Sequence, residues 1–205
     1  HMYSLGENTV YVSALYTLKI SAAPTNRLRL FIPDAIANPE ISGAQRPQLK
    51  KTAPNEYEIQ LNKRIIGSYN LLVTYDFPAD LKEATLQCGA IHILNAESEN
   101  GYITLSGASS LRSGDFSASD SVFEIEEDQL PEAYRILHSN PLIRLFRYTA
   151  APHPVEVKVR TLNNSELMGT VVASSAIKSS LTEDGSASHS ATFMVGNRNR
   201  QFLAV

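Results

Sequence analysis

The chain has 205 residues, 43% hydrophobic and 19% charged, a composition typical of a globular protein that buries a core in one large or two small β domains. Its formal net charge is −3 and its lysines and arginines are scattered, which argues against a nucleic-acid partner or an anionic membrane surface. No apolar run approaches the ~18 residues that cross a bilayer, so direct membrane insertion of this segment is not expected.

Two local features of the sequence, at its first two residues and at its one cysteine, have simple explanations. His1-Met2 is the pattern left when an expression tag is removed, so we exclude it from fold prediction and infer nothing about a native targeting segment. The lone Cys88 excludes an intramolecular disulfide, and its strand-like surroundings, LQCGAIHIL, predict a packed thiol rather than a reactive one.

The N-terminal third alternates apolar and polar residues with the period of a half-buried strand. Residues 9–21 form a predicted strand whose apolar phase shifts between Val12 and Leu15, which indicates a β-bulge. A turn is predicted at residues 23–26, and a second strand follows it. Residues 34–55 are predicted to be mostly loop around a short strand near Ile41.

Two further alternating strands follow, the second of them aromatic: one has Tyr57, Ile59 and Leu61 in phase, the other Tyr69, Leu71, Val73, Tyr75 and Phe77. Strands are also predicted at 84–94 and 101–105. The run from Ser106 to Ser121, SGASSLRSGDFSASDS, is low in complexity and is either a linker between domains or a long surface loop. We therefore divide the chain into β-sandwich-like halves at 3–105 and 121–205, with 106–120 as loop or linker.

The C-terminal half centres on the stretch 142–162. Val155, Val157 and Val159 alternate there with charged residues, after an apolar run that indicates a strand covered on both faces or bent by a bulge. Leu130-Pro131-Glu132 opens a predicted helix of one or two turns. Farther on, Asp184-Gly185 between two strand patterns predicts a hairpin.

These elements predict an all-β protein, an antiparallel β-sandwich that is either one large sandwich or two packed ones, with one short helix and about ten to fourteen strands. A weak repeat supports a longer array, because residues 16–32 match residues 191–205 at Thr17/Thr192, Leu18/Phe193 and Ile20/Val195. We expect the natural polypeptide to continue past Val205 with a proline-terminated strand.

No pattern of catalytic or metal-binding residues stands out. His92, His138, His153 and His189 are far apart in the chain and show no metal-ligand spacing; His92 is expected to face solvent or a sheet partner and His153 to lie in a turn. We therefore predict no catalytic, cofactor-binding or metal-binding residue. An acidic stretch could hold Ca²⁺ but also has the composition of a solvated surface; it comprises Asp115, Asp120, Glu124, Glu126, Glu127 and Asp128.

The aromatic residues bear on carbohydrate binding, because exposed aromatic rings form stacking platforms for sugars. Tryptophan is absent, and the tyrosines at 57, 69, 75, 102 and 148 lie within strand patterns that packing explains. Asn163-Asn164-Ser165 is formally a glycosylation acceptor and equally an Asn-rich turn.

Three segments carry a resemblance that covers most of residues 55–205: LPEAYRILHSNPLIRLFRYTAAPHPVEVKV (130–159), LTEDGSASHSATFMVGNRNRQFLAV (181–205) and ENGYITLSG (99–107). They resemble a family of very large, uncharacterised bacterial proteins that are predicted to be membrane-anchored with most of their mass outside the cytoplasm. The resemblance implies the β-sandwich region of such a protein and brings no catalytic residues.

Together these observations predict a structural or interaction module, a fragment of a larger envelope protein with no catalytic activity of its own. The alternative is a carbohydrate-binding or glycosidase-accessory module. Expected partners are other domains of the same parent chain, and possible further ones are a protein or a polysaccharide. The expected location is the periplasm or cell surface.

Overall fold

The structure is a computed structural model that describes residues 1–162 and 170–197. The described strands are β1 (Met2–Leu5), β2 (Thr9–Phe31), β3 (Glu40–Gly43), β4 (Gln48–Ala53), β5 (Glu56–Pro78), β6 (Glu83–Cys88), β7 (His92–Ile93), β8 (Gly101–Gly107), β9 (Leu111–Ala118), β10 (Val122–Glu124), β11 (Leu142–Tyr148), β12 (Val155–Thr161), β13 (Thr170–Leu181) and β14 (Ala187–Asn197). A 3-10 turn spans Glu127–Gln129, and helix α1 spans Glu132–Arg135. The all-β class with one short helix is confirmed.

Two sheets enclose the core. The larger has the strand order β10-β11-β8-β1-β2-β5-β3, with β4 also paired to β5 and β7 to β2, and the smaller has the order β6-β12-β9. Neighbours pair antiparallel except for β1 and β8, which run parallel. Buried side chains from both sheets form one hydrophobic cluster, so the predicted sandwich architecture is confirmed.

The alternation seen in the sequence fixes which side of each strand enters the core. In β12, Val155, Val157 and Val159 are buried while the charged residues between them are exposed. In β5, Leu71 and Val73 are fully buried. Burying such a side chain contributes ~1.5–3 kcal/mol, so the valine phase of β12 anchors the smaller sheet on the larger one.

The predicted bulge in β2 is wrong, because β2 pairs with β5 without a shift from Thr9 to Ile20. Ala14 is buried, in phase with Val10 and Val12, whereas Leu15 is 44% exposed. The small alanine therefore points into the core at this position, where the sequence pattern predicts the larger leucine. The predicted turn at 23–26 is instead an irregular bend within β2. Gly67 lies opposite Ile20 with a φ of 85°, which lets β5 bend with its partner.

Two loop predictions also need correction. Residues 48–53, expected to be loop, form β4 at the edge of β5. Within 106–120, the predicted loop or linker, β9 pairs with β12 and buries Leu111. Six of the eight residues of β9 are small or polar, and five of these six are exposed, so the composition resembles that of a loop although the backbone pairs with β12.

The contacts of the structure divide the chain between Thr161 and Leu162. The first unit, His1–Thr161, holds both sheets of the sandwich. In the second unit, the described residues form the β13–β14 hairpin, which turns at Glu183-Asp184-Gly185 as predicted. No helix among the described residues is long and apolar enough to cross a membrane.

Candidate functional site

Three chemically reactive side chains converge inside the first unit. The Nε2 atom of His153 lies 3.4 Å from Nε2 of His1 and 3.9 Å from Oε1 of Glu99. The three potential ligand atoms all lie within 4.8 Å of one another. We call His1, Glu99 and His153 the histidine–glutamate cluster.

Each member of this cluster is held by the end of a different strand. The N-terminal amino group of His1, which immediately precedes β1, donates a hydrogen bond of 2.7 Å to the carbonyl of Tyr102 in β8. Glu99 lies in the turn between β7 and β8, where its Oε2 accepts a 2.9 Å hydrogen bond from the Ile93 amide. The cluster is therefore a product of sheet topology.

His153 is fixed by aromatic stacking in the connection between β11 and β12. Its ring lies parallel to that of Tyr148, with the ring centroids 3.7 Å apart, and its side chain has no solvent exposure. The side chain of Glu99 is only 8% exposed. Burial of both groups means that any charge they carry is poorly solvated.

Burial shifts the titration of both groups toward their neutral forms. It raises the pKa of the Glu99 carboxyl to about 7, against the opposing effects of the Ile93 amide and the N-terminal ammonium. It also lowers the pKa of His153 to about 3, and the nearby His92 and N-terminal charges add to this effect. The N-terminal amine itself has a pKa lowered by burial to about 5. At pH values between 3 and 7, Glu99 and His153 are therefore both mainly uncharged.

A pocket of about 190 Å³ lies beside the cluster, and Glu99 forms part of its wall. The other lining residues come from two loops and the end of β7: Ile93, Ala96, Glu97, Ser98, Thr149, Ala150 and Ala151. The Tyr16 hydroxyl lies 3.3 Å from Nε2 of His1 and donates to the Ile91 carbonyl at 2.9 Å. The cluster thus contacts a hydrogen-bonded tyrosine and, through Glu99, adjoins a space large enough for water or a small ligand.

The other predicted histidines have structural settings. His92 is half-buried and stacks on its sheet partner Phe31 at 4.8 Å, in agreement with the expected sheet contact. His138 lies 3.1 Å from Thr104 Oγ1 and 3.4 Å from Ser106 Oγ, and burial lowers its pKa. His189 is exposed on the hairpin. His153, expected in a turn, lies in the connection between β11 and β12 and is completely buried, which the sequence did not reveal.

The thiol of Cys88 is fully buried, and burial raises its pKa well above the ordinary range of a thiol. The packing interpretation of this residue therefore agrees with its position in the core.

The acidic stretch considered for Ca²⁺ is spread over several surface elements. Asp115 is 94% exposed and lies 4.0 Å from the ammonium of Lys158, while Glu124 pairs with Arg144 at 2.7 Å. Glu127 and Asp128 lie in the 3-10 turn. Among the described residues, the members of this stretch do not form a group of three potential metal ligands.

The tyrosines named in the sequence analysis separate into two sets. Tyr69, Tyr75 and Tyr148 are buried, whereas Tyr57 and Tyr102 are intermediate. Tyr102 belongs to an outer row across three neighbouring strands: Phe123 pairs with Arg147, and Arg147 pairs with Tyr102. Tyr134 of α1 packs on Tyr102 with their ring centroids 5.6 Å apart. We call Tyr102, Phe123, Tyr134 and Arg147 the aromatic row.

One face of the β13–β14 hairpin exposes three large apolar side chains, with the polar pair Ser179–His189 between two of them. Cross-strand pairing places Ile177 opposite Ala191 and Leu181 opposite Ala187, and Phe193 follows in the same phase. Ile177, Leu181 and Phe193 are 70%, 77% and 45% exposed. The opposite face is mostly small or polar apart from Met194: it has the pairs Ala176–Thr192, Lys178–Ser190 and Ser180–Ser188. We call the side with Ile177, Leu181 and Phe193 the hairpin apolar face.

The sequence does not predict the histidine–glutamate cluster, since His1 belongs to the pattern of tag removal and Glu99 lies in an ordinary polar turn. The sequence does show that Glu99 and His153 each lie near the start of a strand. That position alone does not predict that the two side chains meet, because their proximity depends on the strand order. Two sequence features lie outside the described residues: the Asn163-Asn164-Ser165 glycosylation acceptor, and residues 198–205 of the second copy of the repeat.

Comparison with models of protein families, with curated proteins and with solved structures finds no match to this chain.

Proposed function

We propose that this chain is a structural or interaction module without catalytic activity of its own, within the extracytoplasmic part of a larger, membrane-anchored bacterial envelope protein. The observation that supports an interaction role most directly is the hairpin apolar face, with three large apolar side chains between 45% and 77% exposed. The family resemblance of residues 55–205 supports the envelope location.

The occupant of the hairpin apolar face is, in this proposal, a β domain of the same parent chain. An isolated two-stranded hairpin is marginally stable in water and gains stability when a third strand or a packed layer covers it. Period-2 alternation of apolar and polar residues is the pattern of a sheet with one buried face, and two such faces pack about 10 Å apart. A neighbouring sheet would therefore cover this face better than a helix would.

Hydrogen–deuterium exchange tests this contact. We expect hairpin amides in residues 170–197 to exchange at least 10-fold more slowly in a longer parent polypeptide, which includes the next domain, than in this chain. The double variant Ile177→Ser/Phe193→Ser is expected to remove the added protection. The matched control Ala176→Ser/Thr192→Ser changes a paired position on the opposite face and should retain it. Equal exchange in the short and long chains contradicts the proposed contact.

A second candidate function, carbohydrate binding, is favoured by the aromatic row. Phe123 is 54% exposed and Tyr134 is 41% exposed, and the exposed Arg147 lies between the strands that carry Phe123 and Tyr102. Aromatic faces stack on apolar sugar faces, and arginine supplies hydrogen-bond donors to hydroxyl or carboxylate groups. An acidic envelope polysaccharide would suit this combination.

Affinity electrophoresis in gels containing an acidic or a neutral polysaccharide tests this second function. We expect retardation by the acidic polymer, and at least 10-fold weaker binding after Phe123→Ala/Tyr134→Ala. Tyr11→Ala is the matched control, because Tyr11 is a 58% exposed aromatic of β2 outside the row. Retardation that is unchanged in the double variant excludes the aromatic row as the site.

A further inference from the structure

We propose that the outer edge of β14 pairs with the same edge of a second copy of this chain, so that two hairpins form one four-stranded antiparallel sheet. The inference goes beyond the contact proposed above, because that contact uses the hairpin apolar face and this one uses the backbone along β14. It rests on the length of this edge, on its lack of charged residues and on the fit of β14 to itself.

The outer edge of β14 is long and lacks the residues that usually protect an edge strand. β14 has 11 residues and, in the part of the chain that the structure describes, pairs with β13 alone. Its sequence, ASHSATFMVGN, contains no Lys, Arg, Asp, Glu or Pro, the residue types with which proteins keep strand edges apart. The larger sheet of the sandwich ends instead in short strands, since β3 has four residues and β10 has three. The edge of β14 therefore presents a row of backbone donors and acceptors to which a further strand can pair.

The turn of the hairpin shows which backbone groups form this row. The Thr182 amide donates to the Ser186 carbonyl at 3.0 Å, so these two residues form a hydrogen-bonded pair. Hydrogen-bonded and non-hydrogen-bonded pairs alternate along an antiparallel ladder, and residues of the second kind direct their amides away from the partner strand. From the observed register, the outward amides are those of His189, Ala191 and Phe193 on β14, and those of Ser175, Ile177 and Ser179 on β13.

β14 is complementary to a second copy of itself. The antiparallel register that overlaps all 11 residues has its twofold axis at Thr192, and it places Ala191 opposite Phe193 of the second copy. The outward amides then become the hydrogen-bonded ones, the small alanine leaves room for the phenylalanine ring, and the two Thr192 side chains form a favourable cross-strand pair.

The same register keeps the apolar faces of both hairpins on one side of the combined sheet. His189 meets Val195 of the second copy, so no like charges are opposed. A two-stranded hairpin is marginally stable in water, whereas a sheet of three or more strands with an apolar face is stable. Pairing of the two edges therefore converts two marginal hairpins into one sheet with a continuous apolar face.

Sedimentation equilibrium of the complete chain, at concentrations from about 1 µM to 1 mM, tests the proposal. We expect a reversible equilibrium between monomer and dimer. Ala191→Pro removes an outward amide and leaves the hydrogen bonds to β13 in place, so it should raise the dissociation constant of the dimer about 10-fold or more, because symmetry removes the bond twice. The matched control is Ser175→Pro, which removes an outward amide from the β13 edge on the same face and should leave the constant within about threefold.

Hydrogen exchange at single-residue resolution identifies the paired edge. At concentrations that populate the dimer, the outward amides of β14 should exchange more slowly than in the monomer, and those of β13 should not. In the Ala191→Pro chain, the inward amides of Ser188 and Ser190 should keep their protection, which shows that the hairpin is intact.

Ile177→Ser separates edge pairing from contact between apolar faces, since Ile177 lies on β13 and contributes its side chain to the hairpin apolar face. This variant should dimerise with a dissociation constant within about threefold of that of the unsubstituted chain. A chain that is monomeric at all these concentrations overturns the proposal. So does a dimer that Ile177→Ser or Ser175→Pro weakens and Ala191→Pro does not.

Discussion

At the scale of single residues, Glu99 and His153 are buried neighbours whose protonation affects stability in opposite directions. The folded state keeps the Glu99 proton up to a pKa of about 7, and the unfolded chain releases it near the ordinary pKa of 4.5. The folded state keeps His153 neutral down to a pKa of about 3, and the unfolded chain protonates it near 6.5. Between pH 4.5 and 6.5 the two effects therefore oppose each other.

The Glu99→Gln variant is expected to isolate one of these effects. As pH rises from 4.5 to 7, the unfolded state loses a proton that folded Glu99 retains, so the group's contribution to the free energy of unfolding falls by about 1.4 kcal/mol per pH unit. Glu99→Gln removes this fall, so the variant should gain stability relative to the unsubstituted chain across that range. Urea denaturation at several pH values checks the difference.

The His153→Asn variant should show the opposite sign. Stability contributed by neutral His153 is present above pH 6.5 and is lost as pH falls toward 3, since only the unfolded state then binds the proton. The variant should therefore lose less stability than the unsubstituted chain on acidification. A parallel pH dependence in both chains would contradict the burial of a neutral imidazole.

Gly89 is a position where backbone conformation and close packing coincide. Its φ is 69°, and a Cβ atom there would collide with the carbonyl oxygen of His153 and lie 2.8 Å from the Cδ1 atom of Ile103. Gly89→Ala should cost about 3 kcal/mol, from left-handed backbone strain and overpacking together. Gly67→Ala is the control, because Gly67 has a φ of 85° and open space around it, and should cost ~1–2 kcal/mol. Chemical denaturation of both variants compares the two costs.

At the scale of elements, β12 connects the smaller sheet to the core. Val157 is fully buried, and its strand pairs with β6 on one side and β9 on the other. Val157→Ala should cost about 2 kcal/mol through lost burial and a residual cavity. Lys158→Ala, on the solvent side of the same strand, removes a 4.0 Å ion pair between exposed groups and should change stability by less than about 0.5 kcal/mol. Equal losses would show that β12 does not anchor the sheet through its valine face.

Strand patterns were predictable wherever one face is buried and the other solvated. The valines of β12 and the aliphatic phase of β5 are of this kind, because each alternate side chain meets water or the core. β9 was not predictable, since its mostly polar side chains give no apolar phase and its pairing comes from backbone hydrogen bonds with β12. Pro24 and Asn26 are residue types that predict a turn, but β2 only bends there, because β5 follows the same bend at Gly67.

At the scale of the whole molecule, the buried core of the described residues lies in the first unit. Each residue of the buried core cluster among the described residues lies between Tyr3 and Val159. A chain that ends after Thr161 should therefore unfold cooperatively with a free energy within ~1 kcal/mol of that of the complete chain. Circular dichroism during urea denaturation measures this. A loss of several kcal/mol would show that residues 162–205 contribute to the stability of the sandwich.

The sequence alone determined the class of the protein, because side chains that alternate between core and solvent leave their period in the chain whatever the strand order. It also determined the hairpin at Asp184-Gly185, since turn geometry is local. Only the tertiary structure decided which strands are neighbours, and with it the meeting of His1, Glu99 and His153. Residues so distant in the chain come together through sheet pairing, and pairing depends on the packing of the whole core.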